Sequence, residues 1–300
     1  MRILITGATG LIGSEIVKQC RLNNIAVNYL TTSKSKLETD PNYKGFYWNP
    51  SKNEIDTACL NEVDAIIHLV GASISKRWTA SYKKTIMLSR VQTSQLLFDT
   101  LKNHPNQVKQ IVSASAIGIY PSSLTNYYSE DFDTVSSSFL GQVVEQWEQV
   151  VDAFSTLNIM VSKVRIGLVL SAKGGALPEM AKPIKFGAGA AFGSGKQWQS
   201  WIHITDLANL FLHVLENKLE GVYNGVAPNP ETNKQLTKSI AQQLKRPLFL
   251  PNIPESLMKL ILGEMHILLF ESQRVSSQKV EETGFNFIHY NLQSALQEEY

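Results

Sequence analysis

Four residues near the N-terminus, Thr6, Gly7, Gly10 and Gly13, sit at a spacing suited to holding a pyrophosphate. In Thr6-Gly7-Ala8-Thr9-Gly10-Leu11-Ile12-Gly13, the first glycine permits a tight turn and the second lets the backbone approach a phosphate. The third lets a helix pack closely against a strand. The helix N-terminus that follows offers free N–H groups and the positive end of a dipole. Thr6, Gly7, Thr9, Gly10, Leu11, Ile12 and Gly13 are therefore the expected dinucleotide contacts. Proteins that bind NAD place Asp or Glu about 20 residues further on, at the ribose 2′-hydroxyl. Here Leu30-Thr31-Thr32-Ser33-Lys34-Ser35-Lys36 carries no carboxylate, and the nearest are Glu38 and Asp40. Thr32, Ser33 and Lys34 suit a 2′-phosphate, so NADP(H) is the expected cofactor.

The elements needed to position that turn are present. Ile3-Leu4-Ile5 is a short apolar run entering the glycines, Leu11–Leu22 has helical periodicity, and Ile25–Leu30 is a second apolar run. Strand, Gly turn, helix, strand is the context that gives a Gly triplet meaning. The alternation continues through an apolar strand over Asp64–Gly71, a helix near Ala80–Lys102 and a strand at Val108–Ser115. A helix over Phe139–Leu157 and a strand over Ile159–Leu170 follow. This predicts an α/β Rossmann-like fold, a doubly wound parallel sheet, with a small C-terminal, mostly helical lobe. Residues 1–170 form the nucleotide domain, with 201–226 returning to it. Residues 171–200 and 227–300 form the substrate-side lobe. The apolar stretch Leu257–Phe270 is interrupted by polar residues and too short for a bilayer, and reads as a buried helix.

Several classes of function are excluded or unsupported. The net charge is +2, from 28 basic and 26 acidic residues with no block of like charge, so neither a nucleic-acid groove nor a membrane anchor is expected. Cys20 and Cys59 are isolated, without metal-ligand spacing, and Cys20 reads as a small buried hydrophobe; no metal is expected. The first strand begins too early to leave room for a leader, and with the free cysteines this places the chain in the cytoplasm, as a monomer or homodimer. Gly193-Ser194-Gly195-Lys196 is a decoy for a Walker loop, because Ala190 and Gln197 occupy positions that loop needs as Gly and Ser or Thr. Neither G-x-S-x-G nor H-E-x-x-H occurs.

The Gly turn, together with His68-Leu69-Val70-Gly71-Ala72, Lys76-Arg77-Trp78-Thr79, Ser113-Ala114-Ser115-Ala116-Ile117-Gly118-Ile119-Tyr120, Gly193-Ser194-Gly195-Lys196-Gln197-Trp198, Ser200-Trp201-Ile202-His203 and Gly263-Glu264-Met265, resembles the short-chain dehydrogenase/reductases. Within them it is similar to the atypical "epimerase family protein" subgroup of the NAD(P)-dependent epimerase/dehydratase family, over nearly the whole chain. The resemblance implies cofactor contacts at Leu69, Gly71, Ala72 and Ser113, and a serine at Ser115 that polarises the substrate oxygen. Relatives also use a Tyr-x-x-x-Lys pair, in which the lysine lowers the tyrosine pKa. This chain departs from that pattern: no tyrosine has lysine four residues on, and Phe139–Glu148 has neither residue. Candidate substitutes are Tyr120 and, on that helix, Glu145, with Glu148 on the same side. Arg77, Trp78, Lys196, Gln197 and Trp198 are candidate substrate contacts. His203 is expected to hold a turn, with Thr205 as the helix N-cap, and His68 to be a satisfied core residue. Two functions stay open. One is an NADP(H)-dependent oxidoreductase, epimerase or dehydratase acting on a small carbonyl or sugar-like substrate. The other is a non-catalytic NADP(H)-binding sensor or partner protein.

Overall fold

The computed structural model describes residues 1–300. Seven parallel strands carry the fold: β1 (Arg2–Thr6), β2 (Ala26–Thr31), β3 (Tyr43–Asn49), β4 (Ala65–His68), β5 (Gln110–Ala116), β6 (Met160–Ile166) and, after the two strands β7 (Leu168–Leu170) and β8 (Trp201–His203) that pair with each other outside this sheet, β9 (Gly221–Gly225). Their order is β9-β6-β5-β4-β1-β2-β3, with Thr39–Asp40 adding a short antiparallel edge. The order reverses between β1 and β4, which is where an open parallel sheet binds ligands beyond its carboxyl ends. Ile3, Leu4, Ile5, Ile66 and Ile67 are fully buried. Each such side chain contributes about 1.5–3 kcal/mol on leaving water.

Helices cover both faces. α1 (Leu11–Leu22) packs against α5 (Ile204–Glu216) on one side, and α2 (Ala80–Asn103) against α3 (Phe139–Asp152) on the other. α4 (Ala176–Lys185), α6 (Asn233–Gln243) and the last helix, α10 (Leu292–Glu299), bury Leu177, Ile184, Leu236, Ile240 and Leu296 against Leu170 and Trp201. This second core is a lobe at the carboxyl end of the sheet. No helix is long and apolar enough to cross a membrane.

Three expectations need correction. The strand expected over Ile159–Leu170 breaks at Gly167, where a Cβ would lie 2.3 Å from the Ser200 carbonyl oxygen. The backbone must pass that close, and the chain leaves one sheet for another. The strand expected over Asp64–Gly71 stops at His68, so Leu69–Gly71 are loop. The Leu257–Phe270 stretch is not one buried helix. It forms α7 (Glu255–Leu262), a 3₁₀ turn and α8 (Ile267–Phe270), broken at Gly263 with φ of +62°. α7 buries none of its residues, and Leu260 is 79% exposed. α9 (Gln278–Glu282) completes the chain order before α10.

Candidate functional site

The Gly turn has the geometry its residue types require. Gly7 has φ of +76°, and the Gly10 N–H closes the turn on the Gly7 carbonyl at 2.9 Å. A Cβ at Gly13 would lie 2.2 Å from that same oxygen, so Gly13 is demanded by helix–strand packing. A Cβ at Gly10 would meet only the Gly7 oxygen, at 3.2 Å, so the fold demands less there. No side chain caps α1, and the N–H groups of Leu11, Ile12 and Gly13 have no partner within the chain. Three free donors at a helix N-terminus fit a pyrophosphate. Gly174 and Gly175 pack on Leu11, bringing the start of α4 over the same helix end.

Thr6 is buried rather than presented to a ligand. Its hydroxyl accepts from the Leu69 N–H at 3.0 Å and lies 2.8 Å from Nδ1 of His68. His68 Nε2 lies 3.0 Å from Ser94, whose own proton goes to the Arg90 carbonyl. The ring therefore donates from Nε2 and accepts at Nδ1. Burial holds it neutral, down to about 4. His68 is a satisfied core residue that ties β1 to β4 and α2.

Beyond β2, Lys34–Lys36 form an exposed 3₁₀ turn. The Lys34 ammonium sits 5.2 Å from the centre of the Tyr47 ring. The Ser33 N–H bonds Thr31 Oγ1 at 3.1 Å, and the Ser33 and Ser35 hydroxyls pair at 2.9 Å. Thr32 is exposed. Asp40 is engaged in its own turn, accepting from the Asn42 N–H at 2.7 Å. Ala72 donates its N–H to Ser89, and Ser113 is fully buried with its hydroxyl on the Ala114 carbonyl.

Ser115 and Tyr120 belong to one buried network. Ser115 Oγ donates to Glu148 Oε1 at 2.5 Å. Arg165 grips both oxygens of Glu148, at 2.9 and 3.0 Å, and donates to the Tyr120 hydroxyl at 3.0 Å. Tyr120 in turn donates to Asn224 at 2.8 Å. Burial works against the ionised form of Glu148. Arg165, the Ser115 hydroxyl and the Lys163 charge outweigh it and leave the carboxyl below its ordinary range. Burial pushes the Tyr120 hydroxyl up despite Arg165. Every polar hydrogen of Ser115 and Tyr120 is thus already spent. Glu145 is half-buried and makes no hydrogen bond or ion pair, and it is Glu148 that turns into the sheet.

A separate pocket of about 190 Å³ opens at the carboxyl ends of β5 and β6. Leu140, Val143, Val144 and Trp147 of α3 form one wall. Leu140 and Val144 are four residues apart, as are Val143 and Trp147. At either four-residue spacing, this wall of the helix presents apolar side chains, with no tyrosine–lysine pair. The polar lining comes from elsewhere: Arg90 on α2, and Gln199, Glu271 and Gln273. Burial pushes the Glu271 carboxyl up, moderated by hydrogen bonds from Gln273 and Ser138. Sequence patterning gave no sign of Arg90 or Glu271. The first is one more cation on an amphipathic helix, and the second follows a stretch read only for its apolarity.

The five candidate substrate residues are not brought together. Trp198 lines the pocket and donates its indole N–H to the Leu124 carbonyl at 3.1 Å. Trp78 is buried, with its N–H on the Ile74 carbonyl and its ring edge-on to Phe139. Gln197 is buried and braces its loop through the Phe192 and Leu269 carbonyls. Arg77 and Lys196 are exposed.

His203, not Thr205, caps α5, because its Nδ1 accepts the Thr205 N–H at 3.3 Å. Its Nε2 meets Glu299 at 3.0 Å, and His289 bridges Asp206 and Glu298, each at 2.8 Å. His203, Asp206 and His289 lie close enough to hold a metal. Their ring nitrogens are nonetheless all taken by protein partners, and the cluster clasps α10 onto the lobe.

Comparison with known proteins agrees with this geometry. The model of the NAD dependent epimerase/dehydratase family matches residues 3–226, and a domain of unknown function, DUF1731, matches residues 253–299. An epimerase family protein of Staphylococcus saprophyticus is 38% identical over 296 residues, covering 98% of each chain. One from Staphylococcus aureus strain MRSA252 is 36% identical over 296 residues, covering 98% of this chain and 97% of its own. The human epimerase family protein SDR39U1 (isoform 2), solved with NADPH, superposes with a TM-score of 0.86 at 30% identity, over 100% of this chain and 99% of that one. A nucleoside-diphosphate sugar epimerase from Corynebacterium glutamicum superposes at 0.78 and 26% identity, over 100% of this chain and 58% of its own.

Proposed function

The chain belongs to the NAD dependent epimerase/dehydratase family, and on that premise we propose that it is an NADP(H)-dependent enzyme acting on a small carbonyl or sugar-like substrate. The N–H groups of Leu11, Ile12 and Gly13 would hold the pyrophosphate, and Ser33 and Lys34 would hold the 2′-phosphate. Bound there, the nicotinamide supplies hydride chemistry. The substrate lies in the pocket beside α3. A volume of about 190 Å³ is below the roughly 300–1,000 Å³ of drug-sized sites, which favours a small reacting group in this pocket.

One observation carries this reading. The pocket sits on the carboxyl edge of the sheet that also bears the Gly turn, and it holds a carboxyl raised by burial, Glu271. Burial favours the protonated form of this carboxyl, the form that can donate a proton. Glu271 therefore takes the acid role that the missing tyrosine leaves open, and Ser115 is a structural residue. The non-catalytic alternative draws support from the locking of Ser115 and Tyr120 into the core.

A panel of small carbonyl compounds and sugars, followed by NADPH absorbance and by product analysis for redox-neutral change, separates the two. Turnover that falls about 10²–10⁴-fold in Glu271→Gln and persists in Ser115→Ala supports the enzyme. No turnover with any substrate, alongside tight NADPH binding, supports the sensor.

A further inference from the structure

Arg90 is a half-buried cation with no counter-ion. No carboxylate lies within ion-pair distance of it, although Glu271 lines the same pocket. Only its Nη1 is hydrogen-bonded, to the Ile86 carbonyl at 2.9 Å and the Ala72 carbonyl at 3.3 Å. Nε and Nη2 have no acceptor in the chain. These two nitrogens form the edge of a guanidinium that matches the two oxygens of a carboxylate.

The group is also held in place. Gly71 packs so closely that a Cβ there would lie 2.8 Å from Cζ, and the Trp147 ring centre is 5.2 Å away. Trp147 carries the one buried side-chain nitrogen or oxygen in the chain without a hydrogen-bond partner, its indole Nε1. A fixed guanidinium and the Trp147 ring thus line the same pocket, whose other walls include Ile74, Val143, Leu168 and Leu268. A charge drawn partly out of water gains from a partner of opposite sign.

We propose that the ligand of this pocket carries a carboxylate, which the Nε–Nη2 edge of Arg90 holds while the apolar wall takes the carbon skeleton. This rests on the pocket being the substrate chamber, and it narrows the substrate to small carboxylic acids with an apolar body. Arg90 is then a specificity-determining residue.

The test uses benzoate against benzamide, and pyruvate against pyruvamide. Binding is read by calorimetry and by the fluorescence of Trp147 and Trp198, with and without saturating NADPH. Each carboxylate should bind about tenfold or more tighter than its amide, as expected for a charge-assisted pair. Arg90→Met should erase the difference, Arg90→Lys should keep part of it, and NADPH affinity should be unchanged in both. Equal binding of acid and amide to the wild-type protein overturns the proposal. So does an undiminished preference in Arg90→Met, or a loss of NADPH affinity there, which would assign Arg90 to the cofactor. If Arg90→Met fails to fold, the wild-type comparison and Arg90→Lys decide. Because the preference is also read without NADPH, its failure is distinguishable from failure of the cofactor assignment.

Discussion

Replacing Glu148 by Gln should cost the fold far more than it costs the site. Glu148 is 7% exposed and holds three groups: Arg165 by two bonds, Ser115 by one and Lys163 at 3.8 Å. Removing one partner of such a pair leaves the Arg165 charge in the core, retaining only Tyr120 and a long contact to the Glu130 carbonyl. Breaking a buried pair in this way costs about 3–5 kcal/mol. At roughly 2.1 cal/mol/K per residue, 300 residues unfold with an entropy of about 630 cal/mol/K. Each kcal/mol then moves Tm by about 1.6 °C. Glu148→Gln should therefore lower Tm by about 5–8 °C in calorimetric scans. Ser115→Ala removes one bond to a charged acceptor that Arg165 still holds, costing about 1.5 kcal/mol and about 2 °C. Both variants should bind NADPH like the wild type. Because the folded-state pKa of Glu148 is depressed, its stabilisation is present above the unfolded carboxylate range and is lost as pH falls through the lower folded value. The Tm gap between wild type and Glu148→Gln should close in acid. An unchanged Tm in Glu148→Gln, or a loss of turnover in Ser115→Ala with Tm intact, would refute the assignment of this network to the core.

Gly13→Val should fail to fold stably, since its Cβ would lie 2.2 Å from a backbone oxygen, whereas Gly10→Val should keep its circular dichroism and lose dinucleotide binding. Wild-type dinucleotide affinity in Gly10→Val would move the site elsewhere. Turnover should fall as pH rises through the raised pKa of Glu271, as the proton it donates is lost, and Glu271→Gln should abolish that limb of the pH–rate profile. The His68 ring stays neutral down to about 4 when folded but takes a proton near its ordinary value when unfolded. Its folded pKa is the lower of the two, so stability should decline as pH drops from about 6.5 towards 4. NMR titration of His68 in the folded protein should show no protonation above pH 5, and an ordinary imidazole titration would contradict this.

The nucleotide half was legible because its signals are local. Ile3–Ile5 is buried on both sides, the glycines follow at once, and α1 repeats with a clear period. Long-range approach was not legible. Gly167 breaks a strand because Ser200, distant in sequence, passes beside it. The Leu257–Phe270 stretch has the composition of core, but Gly263 takes a positive φ there and α7 lies on the surface. β3 escaped notice because Tyr43–Asn49 mixes aromatic with polar residues at the sheet edge. On α3, Glu145 and Glu148 share a helix side, and only the packing of α3 on β5 and β6 decides that Glu148 reaches Ser115 and Arg165. Arg90 and Glu271 meet one pocket from segments 181 residues apart, which no motif in this chain encodes.

Calorimetric titration of the wild-type protein with NADPH and then NADH is the direct test of an NADP(H) site formed by Gly7–Gly13 and Ser33–Lys34. NADPH should bind more tightly, with a gap that narrows in Lys34→Glu as the cation proposed to face the 2′-phosphate is replaced by an anion. Equal affinity for the two dinucleotides, or a gap untouched by Lys34→Glu, would contradict it.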